Sequence, residues 1–554
     1  MCLFNNGKLL YAASEERFSR KKMDDAFPCQ SIEFILKECK LNLHEINSIA
    51  YAWGKGFEQW LLPMYIERAS KMRLNSEDEY KIFCERIEVE IERDSIKKDE
   101  FRDWAVRNLT KEQYNKIFTA YHHEAHAASA ALLSPFDNGL VLTADGRGDF
   151  EAITVWQFER NSNAPLTKVY SSTSSDSLGF LYGRITGMLG FKPERHEGKI
   201  TGLAAYGNPT NAMHLMEKMM SVENGQLIAH LGDYYMPYFS PYSDFIKNEI
   251  AKYSREDIAA AVQKHLENIV CAIITHVISE LKLEKTNLML AGGVFANVKA
   301  NQALKELPFI SSIFVQPQMG DGGLCLGAAA LAQHKDGYNI TPIENMYFGP
   351  DINANDFLQR KSKYHEMEFQ QIHDVATLIV NDLQNKKVVG LIRGRMEFGP
   401  RALCHRTILC WTSDVSINDW LNKRMHRTEF MPFAPIVRAE TAKIAFKNFS
   451  DKDVSLNYMT STINCTEQFV EKSPAVVHVD KTARPQIVTQ ESDNLIWNIL
   501  KKWEEISGEM ALVNTSFNAH EEPIINTPEE GMNAVSNGMV DVLYVDNVRV
   551  VKRI

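Results

Sequence analysis

Two histidines are the first residues in this chain that could do chemistry. His122 and His126 lie four positions apart in Tyr121-His122-His123-Glu124-Ala125-His126, at the head of a run of small residues. Positions i and i+4 of a helix share a face, so both imidazoles can grip one ion, while His123 points ~100° away. Asp145 ends the apolar run 139–144, which reads as a buried strand, and strand ends are where α/β proteins gather their sites. Asp321 lies in Met319-Gly320-Asp321-Gly322-Gly323, a turn that opens into the apolar stretch 324–332. A lone acid there would act as a helix cap. Together the four supply two imidazoles and two carboxylates, a donor set that suits Fe(II), Mn(II) or Zn(II) without choosing among them.

Three glycine-bearing junctions could approach phosphate. Gly146-Arg147-Gly148 follows the strand that ends at Asp145, and such a turn lets backbone amides reach an anion. Ala291-Gly292-Gly293-Val294-Phe295-Ala296-Asn297 is a second strand–glycine–helix junction, after the strand 287–290. Gly198-Lys199-Ile200-Thr201-Gly202 is the third. It lacks the glycine spacing and the Lys-Ser/Thr order of a Walker A loop, which disfavours P-loop chemistry.

Cations gather later in the chain. Arg393, Arg395 and Arg401 fall within nine positions of a Gly- and Pro-bearing loop after the strand 388–392, with His405 and Arg406 just beyond. Arginine forks suit phosphate and carboxylate oxygens. Lys423, Arg424 and Arg427 precede the apolar wall Phe430-Met431-Pro432-Phe433. Asn514, Ser516 and Asn518 form a polar turn that could hold a planar amide-like group. Asp480 and Arg484 could be a simple ion pair.

The elements that must position these residues read as α/β layers. A helix is expected over 257–281, from Ile258, Val262, Leu266, Ile269, Ile273 and Val277 at steps of three and four, with Ser254 at its cap. It reads as scaffold, and His265 and His276 on it need no functional role. The 554 residues exceed the ~250–300 that one core holds, so two domains are expected. The turn-rich stretch 336–351 separates them, giving domains at 1–345 and 346–554. A net charge of -10 disfavours nucleic acid as partner. Nine spaced cysteines without a Cys-x-x-Cys pair argue for reduced thiols, no zinc ribbon and a cytoplasmic location. No apolar run reads as a membrane span.

Glu15-Glu16-Arg17-Phe18-Ser19-Arg20-Lys21-Lys22, HHEAH at 122–126, the Asp145 turn, HEGKITGLAAYG at 196–207, AGGVFAN at 291–297, GDGG at 320–323 and GRMEFGPRAL at 394–403 together resemble the NodU/CmcH carbamoyltransferase family. The resemblance implies an actin-like ATPase (ASKHA) domain of two RNase H-like halves, similar to the tRNA threonylcarbamoyladenosine transferase, and then a YrdC-like α/β domain. It implies iron on His122, His126, Asp145 and Asp321. It implies ATP with Mg(2+) as co-substrate, held at Lys22, Gly146, Arg147, Gly148, Lys199, Gly292, Gly293, Asn297 and Gly320. Carbamoyl phosphate and carbamoyl-adenylate would bind Arg393, Arg395, Arg401, Arg406, Lys423, Arg427, Arg484, Asn514, Ser516 and Asn518, with Arg395 and Arg401 acting in catalysis. The implied reaction moves a carbamoyl group from carbamoyl phosphate to a hydroxyl of a small molecule. Two alternatives are carbamoylation of tRNA or protein, and a non-catalytic homologue that keeps its nucleotide and metal sites. Where the family has Gly-Asn-Arg-Ser, this chain has Cys404-His405-Arg406-Thr407. The family opens with a strand and a His-Asp-Ser-Ala-like segment before the stretch matched by residues 2–9. That strand, one phosphate turn and the family's histidine base are therefore expected to be missing, either because the true start lies upstream or because the protein is shortened and impaired in transfer; if the chain as given is active, the base role falls to His123 or Glu124.

Overall fold

In the computed structural model, residues 1–53, 77–236, 242–426 and 430–553 are described. The chain forms two units, one of residues 2–9 and 36–343, the other of Met1, 10–35 and 344–554. Both are mixed α/β.

In the first unit, α1 (Glu77–Asn108) and α2 (His122–Ala131) lead into β1 (Asn138–Gly148), β2 (Glu151–Glu159) and β3 (Leu166–Thr173). Then come α3 (Leu178–Met188), α4 (Glu197–Leu203), α5 (Arg255–Glu280), β4 (Thr286–Ala291), α6 (Val298–Lys305), β5 (Ile310–Val315) and α7 (Leu324–Lys335). The sheet order is β5-β4-β1-β2-β3. The first three strands are an antiparallel meander, and β4 runs parallel to both β1 and β5. A third-second-first-fourth-fifth order is that of one RNase H-like half. The other strands described in this unit between 36 and 343 pair only in twos, Ala50–Tyr51 with Phe118–Thr119 and Met220–Glu223 with Gln226–Ala229.

Strand alternation explains why β1 reads as a continuous apolar run. Leu140 and Leu142 join the core built on α5 with Ile258, Val262, Leu266, Ile269, Ile273 and Val277. The intervening Thr143 meets His123 of α2. Helix α5 begins as its cap required, with Ser254 Oγ accepting the Asp257 amide at 3.1 Å. It is long and apolar enough by composition to cross a bilayer, but two-thirds of that stretch is buried in this core. His265 is spent on the Met220 carbonyl at 2.9 Å.

Helices α2 and α7 lie unusually close, which their alanine-rich sequences permit. A Cβ on Gly327 of α7 would stand 1.7 Å from the Ala125 carbonyl oxygen of α2. Glycine is needed there because backbone, not a movable side chain, occupies the space.

The second unit holds β6 (Met367–Gln371), α8 (Val375–Gln384), β7 (Val389–Ile392), β8 (Arg406–Cys410), α9 (Ile417–Arg424) and β9 (Ala434–Arg438). It continues with β10 (Gln486–Val488), α10 (Asn494–Ser507), β11 (Leu512–Ser516), α11 (Pro528–Ser536), β12 (Val542–Val545) and β13 (Val548–Lys552). Its main sheet has eight strands in the order β6-β13-β12-β7-β8-β11-β9-β10, mostly antiparallel, with parallel pairs β7/β12 and β9/β10. Helix α10 buries Ile496, Ile499, Leu500 and Trp503, the stripe of an amphipathic helix.

The division falls at 343/344, but residues 10–35, expected in the first domain, belong to the second unit. Hydrogen bonds hold them there. The Ala12 amide donates to Phe348 O at 3.1 Å, and the buried Arg17 donates to Gly399 O at 2.8 Å.

Replacing Gly327 with alanine should force α2 and α7 apart. We expect a loss of about 1–3 kcal/mol in stability, as for overpacked cores. Thermal melting measures it, and metal content should fall with it, because the two helices carry or adjoin the metal ligands.

Candidate metal centre and a cavity of the second unit

His122, His126, Asp145 and Asp321 offer one donor atom each, all within 4.8 Å of one another. His126 Nε2 lies 3.1 Å from Asp145 Oδ2 and 3.5 Å from Asp321 Oδ1, and His122 Nε2 lies 3.6 Å from Asp321 Oδ1. Both histidines are fully buried, yet none of their four ring nitrogens has a hydrogen-bond partner of good geometry. Buried polar atoms without partners are costly, and a bound cation would satisfy one nitrogen of each ring. The residues therefore fit a metal ion.

Each ligand is fixed by its own element. The pair on α2 follows from i, i+4 spacing. Asp145 ends the straight part of β1 and accepts the Gly146 amide at 2.6 Å and the Gly293 amide at 2.8 Å. Asp321 stands in the short 3-10 turn that opens α7. Asp149 Oδ2 accepts the His122 amide at 2.6 Å, and the Trp53 ring sits edge-on at 4.7 Å from the His122 ring. Gly148 leaves room for that imidazole, since a Cβ there would stand 2.1 Å from His122 Cγ.

Electrostatics agree with this assignment. Burial, with the neighbouring His126 and His123, pushes His122 well down. Burial also opposes a charge on His126, but the carboxylates of Asp145 and Asp321 outweigh it and raise it to about 9. Asp145 is lowered, because His126 and His122 overcome the effect of burial. Asp321 is raised by burial and by the charge of Asp145.

The two residues proposed as base are occupied elsewhere. His123 Nε2 faces the Glu151 carbonyl at 3.1 Å and must donate, so Nδ1 accepts from Thr143 Oγ1 at 2.7 Å. Thr143 Oγ1 in turn meets Thr154 Oγ1 at 2.6 Å, which accepts from Trp156 Nε1 at 2.6 Å. Every donor in this chain has an acceptor. Burial, then His126, hold His123 down at about 3, so it is a neutral strut between α2 and the sheet. Glu124 Oε2 accepts the Tyr121 amide at 3.2 Å and caps α2.

The expected phosphate elements divide. Gly146, Gly148 and Gly293 serve the metal ligands directly. Gly320 and Gly293 lie side by side, 4.0 Å from a Cβ on the first to Cα of the second, and the Gly292 amide donates to Met319 O at 2.7 Å. Arg147 is paired with the buried Asp94 of α1 at 2.6 Å. Asn297 caps α6 and donates to Gln263 Oε1 at 2.8 Å, so it is structural. Lys199 is buried on α4. Lys22 belongs to the second unit, apart from the elements it was grouped with.

The second unit corrects the arginine assignments more strongly. Arg393 pairs with Asp493 and donates to Cys404 O at 3.0 Å. Arg395 donates to the carbonyls of Phe348 at 2.6 Å and Leu10 at 2.9 Å, and covers the Tyr11 ring at 4.2 Å. Arg406 is fully buried, donates to the carbonyls of Arg393, Gly394, His405 and Pro350, and is pushed down to about 10 by that burial. Asn514 is spent on Gln486 at 2.6 Å, on Ala402 O and on Thr407. These four side chains hold loops in shape. Lys423 is exposed on α9, while Arg401, Arg484 and Ser516 are half-buried. Arg427 lies outside the described residues. Cys404 takes φ 72° and is buried, which explains why the family has glycine at this point.

One cavity of about 450 Å³ opens in this unit, lined by Arg20, Arg424, His426, Asn518, Glu522 and Glu530, with Asn533 of α11 and Asn537 at its C-terminal cap. That volume is ordinary for a ligand site. Of the described residues expected to bind carbamoyl phosphate, Asn518 alone lines it. Arg20 and Arg424 stand in cation-bearing stretches of the sequence, but nothing local joins them to each other or to Asn533 and Asn537, because these residues meet only through tertiary packing.

A family profile described as carbamoyltransferase N-terminus matches residues 1–330, and one described as carbamoyltransferase C-terminus matches 380–552. An uncharacterized protein of Methanocaldococcus jannaschii is 30% identical, covering 99% of this chain and 97% of the relative. Nodulation protein NolNO of Sinorhizobium fredii is 29% identical over 100% of this chain and 78% of its own length. The solved structure of full-length HypF in its phosphate- and nucleotide-bound form matches at a TM-score of 0.25, with 19% identity over 33% of this chain and 22% of that one. The chain belongs to the carbamoyltransferase family and is an enzyme of carbamoyl transfer.

Metal analysis of the purified protein should find about one ion per chain. His126→Ala and Asp145→Asn should lose it, and Gly148→Ala should weaken it by displacing His122. His123→Ala should keep the ion while melting at lower temperature. Loss of metal from a folded His123→Ala variant would show that the ligand set is wrong.

Proposed function

We propose that the protein is an ATP-dependent O-carbamoyltransferase that carries the carbamoyl group of carbamoyl phosphate, by way of carbamoyl-adenylate, to a hydroxyl of a small molecule. The convergence of His122, His126, Asp145 and Asp321 supports this most directly, because it gives the family's transfer step a site for an ion. We propose iron as that ion; manganese and zinc suit the same donors. When bound, such an ion would hold phosphate oxygens and polarise a carbonyl.

The chemistry explains the need for two sites. A carbamate carbonyl is resonance-stabilised and a poor electrophile. Carbamoyl phosphate, ATP and water give carbamoyl-adenylate, pyrophosphate and phosphate. The acceptor oxygen then bonds to the carbonyl carbon, AMP leaves with the electron pair, and the hydroxyl proton passes to a base. Activation belongs to the second unit's cavity, where the Asn518, Asn533 and Asn537 amides and His426 offer polar contacts to a nucleotide. Its two arginines are already paired, Arg20 with Glu530 at 2.6 Å and Arg424 with Asp541 at 2.6 Å, so the cavity favours polar shape recognition over bulk positive charge. In the first unit, His122, His126, Asp145 and Asp321 would hold the cation, the Gly146 and Gly293 amides keep Asp145 aimed, and Arg147 stands beside them paired with Asp94. Neither His123 nor Glu124 is placed as the base.

The net charge of -10 supports a small acceptor over a polyanion such as tRNA. The nine free thiols suit a reducing compartment, and we place the enzyme in the cytoplasm.

The test combines the protein with Fe(II), Mg-ATP, labelled carbamoyl phosphate and a panel of hydroxyl compounds. Pyrophosphate release should require carbamoyl phosphate, and label should reach an acceptor only with ATP present. His126→Ala should retain pyrophosphate release and lose transfer by roughly 10²-fold or more, the scale of a lost electrostatic stabiliser. Transfer of label without ATP cleavage would overturn the adenylate route.

A further inference from the structure

We infer that Arg20, from the 10–35 segment, is a positioning residue for the activation cavity and sets the loop that walls it. The role in activation rests on the function proposed above; the loop geometry does not.

Arg20 uses three edges of its guanidinium at once. Nε meets Glu530 Oε1 at 2.6 Å, Nη1 donates to Ile524 O at 2.9 Å, and Nη2 donates to Pro523 O at 3.0 Å. Glu530 completes the arrangement with its other oxygen, Oε2, which accepts the amides of Asn526 and Thr527 at 2.8 Å each. The backbone from Pro523 to Thr527 is thus held by its carbonyls through Arg20 and by its amides through Glu530. The two side chains are themselves joined. Behind Arg20, Arg17 donates to Gly399 O at 2.8 Å and approaches Ile524 O at 3.5 Å.

This clamped run carries Glu522 and Ile525 on the cavity wall. It also anchors Asn518. Asn518 Nδ2 donates to Glu522 O at 3.0 Å, and the Ile525 amide closes the loop onto Phe517 O at 2.9 Å. Release of Arg20 therefore frees the loop at the point where Asn518 and Glu522 face the cavity.

An ordinary surface ion pair would explain Arg20–Glu530 alone, since their side chains are 32% and 23% exposed. It does not explain two further carbonyl contacts. It also does not explain why Arg20 takes a left-handed conformation, φ 61°, at the end of the helix Glu16–Ser19, a position glycine fills at lower cost. The adjacent pair Arg360–Glu529, whose acid lies on the same helix α11 and whose side chains are 53% and 35% exposed, supplies the contrast.

Arg20→Ala, Arg20→Lys and Arg360→Ala are compared in the full chain. Both Arg20 variants should raise KM for carbamoyl phosphate in pyrophosphate release tenfold or more, with kcat within about twofold. Lysine should not rescue, because one ammonium cannot replace a planar fork spanning three acceptors. Amide hydrogen exchange should quicken over 518–527 in both Arg20 variants and stay unchanged in Arg360→Ala. Unaltered exchange over 518–527, or full rescue by lysine, would overturn the positioning role. If the unmodified protein releases no pyrophosphate, the functional reading fails, and hydrogen exchange alone still decides whether Arg20 sets the loop. Should Arg20→Ala fail to fold, Arg20→Lys carries both measurements.

Discussion

Two carboxylates brought within contact range of two buried imidazoles repel each other unless a positive charge stands between them, and much of the first unit serves to enforce that arrangement. The Asp145 and Asp321 oxygens both lie close to His126 Nε2. Such crowding is stable only if the surrounding backbone cannot relax away from it. Three devices prevent relaxation. Helices α2 and α7 touch backbone to backbone at Gly327, so the turn bearing Asp321 stays close to the helix bearing both histidines. Gly148 gives His122 its space. The amides of Gly146 and Gly293 hold Asp145 from two different segments. The neutral His123 chain then ties α2 to β1 and β2, using hydrogen bonds to fix the helix while the rings on either side of it face the ion site.

The second unit uses charge differently. Its GRMEFGPRAL loop folds back on itself and leaves many carbonyls away from water. Backbone acceptors in that position need donors, and arginine supplies several per side chain. Arg393, Arg395 and Arg406 are consumed in this way. Glu397 is the acidic counterpart, with Oε1 accepting the amides of Leu403, His405 and Arg406. The cation density of the sequence therefore reports chiefly on how the loop is built. The cavity lies elsewhere in the unit, around the 518–525 loop and α11.

The path of the chain joins sequence regions that linear reading separates. A boundary in the turn-rich stretch before residue 350 was legible because composition changes there. The return of residues 10–35 to the second unit was not legible, because no pattern within that segment says which partner will accept its arginines. Long-range pairing depends on geometry of the acceptor loop, and Pro523 and Ile524 lie some five hundred positions away.

Short apolar runs located β1 and β4, three-to-four spacing located α5, and a run of small residues located the helix bearing His122 and His126. The same spacing separated His123 from the two ligands. Their places at the ends of elements offered Asp145 and Asp321 as companions, the motif resemblance named the same four, and the fold brought them together. What the sequence could not decide was the direction of side chains with several possible partners. An arginine in a glycine-rich loop can face a phosphate or a carbonyl, and an asparagine after a strand can face a ligand or cap its neighbours. The free-energy difference lies in which buried acceptors the completed fold leaves without donors. That accounting exists only once the loops have closed, so the roles of Arg20, Arg395, Arg406 and Asn514 were decided by tertiary structure.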